Sequence, residues 1–182
     1  MCIIYTEVLW YLGENKHSNK LKGRIAMVKS ATGVTVRINR STRLVYPLWV
    51  TLGVHFRIWG LGPAEYDLTA IELFLWVFQW GTRKVEGYDL HEYLKRTGMI
   101  EKCLDLRDAV EIQRLDPDVF REIFGDSNVF LWRSSAEDRS GDKHVPYLCL
   151  REGGIVLAWR SIKEKWGASD LAALFPKEPN KP

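Results

Sequence analysis

The sequence is short of the residues that metal centres and disulfide frameworks need. It contains three cysteines and four histidines in 182 residues. Cys2, Cys103 and Cys149 are far apart and form no C-x-x-C pair, so we expect free thiols in a reducing, intracellular compartment. A zinc site can be drawn from His91, Cys103, His144 and Cys149, but their spacing does not require one. We therefore predict no metal and no cofactor.

Long uncharged apolar runs are also missing. Residues 44–62 include Pro47 and Arg57, and residues 68–80 include Glu72. A membrane-spanning helix needs about 18 or more apolar residues with few or no charges, so neither stretch qualifies. The first residues lack a basic region and a small-residue cleavage site, which argues against a signal peptide. We expect no transmembrane segment.

Catalytic signatures are missing as well. The sequence has no G-x-S-x-G elbow, no GxGxxG fingerprint and no phosphate-binding P-loop. Asp105, Asp108 and Glu111 are three residues apart and would share one helix face, as a two-metal nuclease would require. Arg107 and Arg114 lie nearby, so a solvated charged face is the favoured interpretation. We predict a protein that is not an enzyme, with a small metal-dependent nuclease as a third alternative.

Aromatic residues are abundant. They make up 12% of the chain and include 8 tryptophans. Buried indole groups need partners for their N–H, and tryptophan is enriched at protein interfaces. We therefore expect some tryptophans to lie at a protein–protein contact, the alternative being half-burial at the boundary of a sheet and a helix. The predicted interface consists of Leu73, Trp76, Trp80 and Trp49.

Basic residues are concentrated at the front of the chain. Residues 1–45 hold eight basic and two acidic residues, a balance of +6, whereas the rest holds 18 basic and 21 acidic residues. Such a field attracts phosphates of nucleic acids or anionic lipid headgroups, although it can also merely solubilise a hairpin. The predicted polyanion-binding or partner-binding residues are Lys16, Lys20, Lys22, Arg24, Lys29, Arg37, Arg40 and Arg43.

Alternating apolar residues predict strands near the N-terminus. Residues 3–11 are rich in β-branched and aromatic side chains, and residues 23–40 show the period-two pattern of a hairpin around Ser30–Gly33. Residues 50–58 alternate most regularly. Residues 68–80, between a cap at Asp67 and a stop at Gly81, are apolar nearly all round and predict a buried helix, with a strand as the alternative.

Three further helices are predicted at residues 89–96, 104–115 and 117–124. The last has Asp116 at the N-cap, Pro117 at the first helical position and Gly125 after its end. Strands return at residues 128–135, 145–151 and 155–161, and a short helix is expected at 169–175. The predicted fold is a single α+β domain over residues 1–182, with antiparallel strands at both ends packed on three or four central helices. Residues 1–45 form its basic hairpin region and residues 176–182 a flexible tail.

A resemblance to the rhabdovirus matrix proteins rests on element order and spacing. The strand at 50–58, the cap at Asp67, the stop at Gly81, the basic connector TRKVEG and the helix from Tyr88 resemble the β–α–α core of that family. The resemblance implies a self-associating viral structural protein that binds the nucleocapsid and contacts the inner membrane leaflet. It also implies a location in the host cytoplasm and in the virion.

A second resemblance leads to a different class. The stretches TRLVYPL (42–48) and WGLGPAEYD (59–67) are similar to a region of the lentiviral Vif adaptors, and ASDLAAL (168–174) resembles their elongin-binding box. This implies a monomeric adaptor or inhibitor that binds one host protein. We rank it below the main prediction, which is a non-enzymatic structural protein whose basic front attracts polyanions and whose tryptophan-rich segment forms protein contacts.

Overall fold

The computed structural model describes residues 5–6, 23–26, 33–42, 46–51 and 62–176. Within these residues lie three α-helices, α1 (Gly87–Arg96), α2 (Leu106–Ile112) and α3 (Pro117–Phe124). The strands in chain order are β1 (Tyr5–Thr6), β2 (Gly23–Ala26), β3 (Thr35–Arg37), β4 (Glu65–Asp67), β5 (Glu72–Trp76), β6 (Val85–Glu86), β7 (Asn128–Phe130), β8 (Ala136–Glu137), β9 (Lys143–Arg151), β10 (Gly154–Ser161), β11 (Lys165–Trp166) and β12 (Asp170–Leu174).

An eight-stranded sheet forms the centre of the molecule. Seven strands follow the order β1-β2-β5-β12-β7-β9-β10, and β8 pairs with one end of β9. The β7–β12 pair is parallel and the other pairs of this sheet are antiparallel. Two small two-stranded sheets, β3–β4 and β6–β11, lie outside it.

Two apolar cores cover opposite faces of the sheet, because neighbouring residues of a strand point to opposite sides. Leu73, Val129 and Leu148 belong to the first core with α2, α3 and the small β3–β4 sheet. Phe74 and Phe130, the next residues along β5 and β7, belong to the second core with α1 and Trp166. The sheet is therefore enclosed between two layers.

The expected α+β arrangement is wrong. The structure has mixed α/β content dominated by its sheet, and the helices are divided between the two faces instead of forming a central group. The predicted helix at 68–80 is the strand β5, flanked by short 3₁₀ turns at Leu68–Ala70 and Val77–Gln79. A central strand covered on both faces reads as a continuous apolar run, which imitates a buried helix.

Two other local predictions fail for related reasons. The expected helix at 169–175 is the strand β12, which lies between β5 and β7 and is also covered on both faces. The expected hairpin of residues 23–40 does not form, because β2 pairs with β5 whereas β3 pairs with β4. Of the strand predicted at 50–58, Val50 forms an antiparallel bridge with Asp138 and Thr51 is described, while residues 52–58 lie outside the described ranges.

The helices predicted from local signals are confirmed. Helix α3 begins after the N-cap Asp116, whose carboxylate accepts the N–H of Asp118, and it ends at Gly125 with a φ of 62°. Helix α1 is followed by Gly98 with a φ of 68°. Helix α2 is shorter than expected. In the described ranges, no helix is long and apolar enough to cross a membrane.

Candidate functional site

A buried cluster of charged and hydrogen-bonded side chains joins four segments of the chain. Asp105 and Asp108 come from the start of α2, Arg40 follows β3, Tyr66 lies in β4, and Arg133 lies in the turn after β7. Arg40 Nη2 lies 2.8 Å from Asp108 Oδ1, and Arg133 Nη2 lies 3.0 Å from Asp105 Oδ2. The Asp108 side chain is fully buried and that of Arg40 is 11% exposed. We call these five residues the arginine–carboxylate cluster.

The oxygens of both carboxylates already accept hydrogen bonds. Asp108 accepts from both terminal nitrogens of Arg40, from the Tyr66 hydroxyl at 3.0 Å and from the Asp105 backbone N–H at 2.8 Å. Asp105 accepts from Arg133 at 3.0 Å and from the Arg107 backbone N–H at 2.8 Å. A metal ion needs free carboxylate lone pairs, so this saturated arrangement is suited to holding segments together and not to two-metal hydrolysis.

Burial and neighbouring charges act differently on the two carboxyls. Burial raises the pKa of Asp108, and the hydrogen bond from Arg40 only partly opposes it. Burial also acts upward on the pKa of Asp105, but the hydrogen bond and charge of Arg133 outweigh it and hold that pKa below its ordinary value. Burial and the adjacent Asp108 raise the pKa of Tyr66. Tyr66 therefore stays a hydrogen-bond donor at neutral pH.

Phe175 and Gly62 complete the cluster. The Arg40 and Arg133 guanidinium carbons lie 5.6 and 5.5 Å from the centre of the Phe175 ring, within the range of a cation–π contact. Gly62 has a φ of 114°, and a Cβ there would come within 2.8 Å of Arg133 Nη2. Only glycine fits this position, because it tolerates the backbone conformation and leaves space for both guanidinium groups.

The histidines and cysteines considered for a zinc site do not form a metal-binding group. In the described ranges, no group of three or more histidine, cysteine or acidic side chains is placed to hold a metal ion. Cys103 and Cys149 are buried free cysteines. His91 Nδ1 lies 3.4 Å from Glu92, and burial lowers the His91 pKa.

The predicted basic face is only partly described. Arg37 is exposed and its Nε donates to Glu65 at 3.1 Å, whereas Arg40 points into the arginine–carboxylate cluster and is not available to a polyanion. Arg24 lies in β2, where only the backbone is described. The remaining five positions lie outside the described residues: Lys16, Lys20, Lys22, Lys29 and Arg43.

The four residues of the predicted interface lie in different environments. Leu73 is buried in the first core and Trp76 in the second, so both contribute to folding. Trp80 is 36% exposed, and Trp49 is half-buried. The structure does not bring the four together on one surface.

A second cluster lies at the open end of the β9–β10 hairpin. The Trp49 ring packs against His144 at a centroid distance of 4.9 Å and meets the Trp159 ring edge-on at 5.4 Å. Tyr46 also lies near Trp159, at a ring-centroid distance of 6.2 Å. Beside Trp49 is a groove of about 420 Å³, also lined by Asp138, Arg139 and Ser140. We call it the Trp49 groove.

The loop after β8 fixes the acidic side of this groove. Asp138 Oδ1 accepts the Ser140 N–H at 2.9 Å, the Ser140 hydroxyl at 2.7 Å and the Asp142 N–H at 2.9 Å. The Ser140 hydrogen bond is the main cause of a lowered Asp138 pKa. Asp138 therefore carries its negative charge at neutral pH.

Sequence reasoning missed this groove. It placed Trp49 in the predicted interface and left residues 136–144 as the connection between two predicted strands, but it did not bring the two together. The available signal is the D-x-S-x-D spacing, which is typical of an aspartate that accepts the backbone N–H groups of its own turn. Nothing local indicates that a tryptophan about 90 residues earlier lies against it.

Comparison with protein-family profiles, with curated proteins and with solved structures finds no match to this chain. The two viral resemblances therefore stay predictions.

Proposed function

We propose that this chain is a non-enzymatic interaction protein that associates with further copies of itself through the outer edge of β10. The observation that carries the proposal is the position of β10, an eight-residue strand that is half-buried along its whole length. Among the described residues, β10 pairs with β9 alone. A long apolar edge strand is a template for pairing with another chain.

The β9–β10 register shows which backbone groups face outward. Arg151 pairs with Gly154 across a two-residue turn, so Val156, Ala158 and Arg160 exchange hydrogen bonds with β9. The N–H and carbonyl groups of Ile155, Leu157 and Trp159 must then point away from β9. The carbonyl of Ile155 does so, because it accepts a hydrogen bond from the Gln113 side chain at 3.3 Å.

The outer edge is self-complementary around Ala158. An antiparallel pairing of two β10 strands with Ala158 on the two-fold axis places Leu157 opposite Trp159 of the second copy. Each such pair forms two hydrogen bonds, so the two pairs form about four. This register leaves the Ile155 carbonyl with Gln113 and brings two small alanine side chains together on the axis. A symmetric contact of this type is the commonest form of association.

Proline at position 157 tests the edge. Proline removes the outward N–H but is tolerated on edge strands, since the β9–β10 ladder does not use that N–H. Leu157→Ala is the matched control, because it loses the same side-chain packing and keeps the N–H. We expect wild type and Leu157→Ala to dimerise in sedimentation equilibrium and Leu157→Pro to be monomeric. Equal association of the two variants would contradict the proposal.

Disulfide trapping tests the register without requiring a destabilised variant. In a Cys2→Ser background, Ala158→Cys places two thiols across the axis, where Cα atoms of a non-hydrogen-bonded pair are about 4.5 Å apart and can be bridged. Ser161→Cys is the control, since its copies would lie about 20 Å apart and its partner on β9 is His144, not a cysteine. Oxidation should give a covalent dimer for Ala158→Cys alone. A concentration-independent monomer that forms no such dimer would favour the adaptor alternative.

Binding to nucleoprotein or anionic membrane is the second part of the proposal, and it depends on the basic front. The support for this part is the charge balance of residues 1–45 in the sequence. Most of the side chains that would bind the anionic partner lie outside the described ranges. Each lysine or arginine near an anionic surface contributes about 1 kcal/mol and is screened by salt. Co-sedimentation with anionic liposomes or RNA should therefore weaken steeply with salt. Salt-independent binding would exclude this part.

A further inference from the structure

We propose that the Trp49 groove binds a small organic cation of the quaternary or methylated ammonium class. The groove is lined by a tryptophan and by an ionised carboxylate. Aromatic rings recognise quaternary ammonium groups in proteins, and a carboxylate adds an opposite charge. This ligand site is separate from the outer edge of β10 and does not depend on self-association.

The Trp49 ring is held in place before any ligand binds. His144 lies against it at 4.9 Å, and Trp159 meets it nearly perpendicularly, at an interplanar angle of 89°. The backbone is fixed as well, since Val50 bridges to Asp138 and the Thr51 N–H donates to the Glu137 carbonyl at 2.8 Å. A fixed ring loses little conformational entropy on binding, which favours affinity for a small ligand.

The Asp138 carboxylate has one oxygen left for a ligand. Its Oδ1 accepts three hydrogen bonds within the turn, so the carboxylate cannot rotate freely. Its Oδ2 lies 4.0 Å from His144 Nδ1, but that nitrogen lies 3.0 Å from the Asp142 carbonyl and must donate there, because a carbonyl only accepts. Among the described residues, no donor reaches Oδ2. The Asp138 side chain is 24% exposed, so a cation can approach it.

Arg139 makes the sign of the ligand charge testable. Its side chain also lines the groove, and its positive charge opposes a cation that approaches Asp138. Removal of the Asp138 charge should weaken binding of a cation, and removal of the Arg139 charge should strengthen it. An anionic ligand would respond in the opposite direction to both changes.

The experiment uses choline as the probe and 3,3-dimethylbutan-1-ol, which has the same shape without the charge, as its control. Isothermal titration of the full chain should show saturable binding of choline and at least about fivefold weaker binding of the neutral analogue, the range of a cation–π contact at a partly exposed site. Asp138→Asn and Trp49→Leu should each weaken choline binding by about fivefold or more. Arg139→Gln should strengthen it.

Several results would overturn the proposal. Equal affinity for choline and the neutral analogue would show that the groove is merely apolar, and the absence of saturable choline binding would exclude the site. Weaker choline binding by Arg139→Gln would show that the Arg139 charge does not oppose the ligand and would contradict the proposal. The Trp80→Leu variant controls for nonspecific loss of an exposed tryptophan and should bind choline normally. The Leu157→Pro variant should also bind choline, so failure of self-association can be told apart from failure of this site.

Discussion

Replacement of Arg40 by methionine tests whether the arginine–carboxylate cluster holds the fold together. The substitution keeps an unbranched, flexible side chain and removes the guanidinium group with its charge. It leaves Asp108 fully buried, with the Tyr66 hydroxyl and the Asp105 N–H as its remaining donors. Loss of one partner of a buried ion pair costs about 3–5 kcal/mol, because the other charge stays desolvated.

Arg37 provides a matched control three residues earlier in the chain. Its ion pair with Glu65 is as short as many buried ones, at 3.1 Å, but the two side chains are 80% and 55% exposed. Solvent screens such a pair, so Arg37→Met should cost about 1 kcal/mol or less. The two variants remove the same chemical group from the same segment and differ in burial.

Urea unfolding followed by circular dichroism measures the difference. We expect the urea transition of Arg40→Met to have the same slope as that of wild type and a lower midpoint. In thermal unfolding, the melting temperature should fall by about 6–20 °C, from about 2–4 °C per kcal/mol for a chain of this size. Arg37→Met should unfold almost like wild type. If both variants lose the same small amount, the cluster is not a structural clamp.

The pH dependence of Arg40→Met gives an independent check. Burial raises the Asp108 pKa, and Arg40 supplies the hydrogen bond and charge that oppose it, so the variant should raise it further. A carboxyl whose folded pKa is raised favours folding at low pH, and this contribution is lost as the pH rises through the folded pKa. The deficit of Arg40→Met relative to wild type should therefore be smaller at pH 5 than at pH 8. A deficit that grows on acidification would refute the assignment to Asp108.

Three further measurements test local parts of the fold. Gly87→Ala should destabilise the folded protein by about 1–3 kcal/mol or more, because its Cβ would lie 2.4 Å from Trp166 Nε1 and 2.8 Å from the Ile162 carbonyl. Gly167→Ala is the control, because the nearest neighbour of its Cβ would be Lys84 at 3.9 Å. In thermal unfolding, Gly167→Ala should behave like wild type. Burial raises the pKa of Cys103 to about 12, so mass spectrometry after thiol labelling should find it modified only when the protein unfolds. Asp67 accepts hydrogen bonds from the Thr69 side chain and N–H, and these lower the pKa of Asp67. Thr69→Val should therefore raise the Asp67 pKa in an NMR titration. An unchanged pKa would contradict this cause. Because the folded pKa is lowered, the stabilisation by Asp67 is present above the ordinary carboxyl pKa and is lost as the pH falls through the folded value.

The elements that local chemistry defines could be predicted from the sequence. Helix α3 has its N-cap, its first-turn proline and its terminal glycine within the same ten residues, so its bounds were found correctly. The strands β9 and β10 were predicted at residues 145–151 and 155–161, and the structure pairs them with each other. These signals do not depend on the rest of the chain.

Strands covered on both faces could not be told from helices. In β5 the side chains of Leu73 and Phe74 enter different cores, so the sequence shows no alternation between apolar and polar residues. The same is true of Ala172 and Ala173 in β12. Alternation of apolar and polar residues identifies a strand that is buried on one face. It is absent from a strand that is buried on both faces.

Only part of the arginine–carboxylate cluster could be predicted from the sequence. Asp105 and Asp108 were recognised as carboxylates on one helix face, but Arg40 lies 65 residues before Asp105 and was assigned to the basic front that would bind a polyanion.

Two tryptophans also differ from expectation, since Trp132 and Trp166 are fully buried although their indole N–H groups have no acceptor in the described part of the chain. Their rings pack at 4.7 Å, so aromatic contact outweighs the missing hydrogen bonds.

Trp159 connects the two proposals, because it lies on the outer edge of β10 and its ring contacts Trp49, which lines the groove. Pairing of two β10 strands would restrict Trp159 and, through it, the Trp49 ring, so the dimer should bind an organic cation more tightly than the monomer does. Each dimer holds two grooves, so linkage requires that saturating choline tighten the dimer by the square of the factor by which dimerisation tightens choline binding at each groove. Sedimentation equilibrium with and without choline measures the first factor, and titration of wild type against Leu157→Pro measures the second. A first factor that is not the square of the second would mean that Leu157→Pro changes the groove directly, and two factors of one would mean that the edge and the groove act independently.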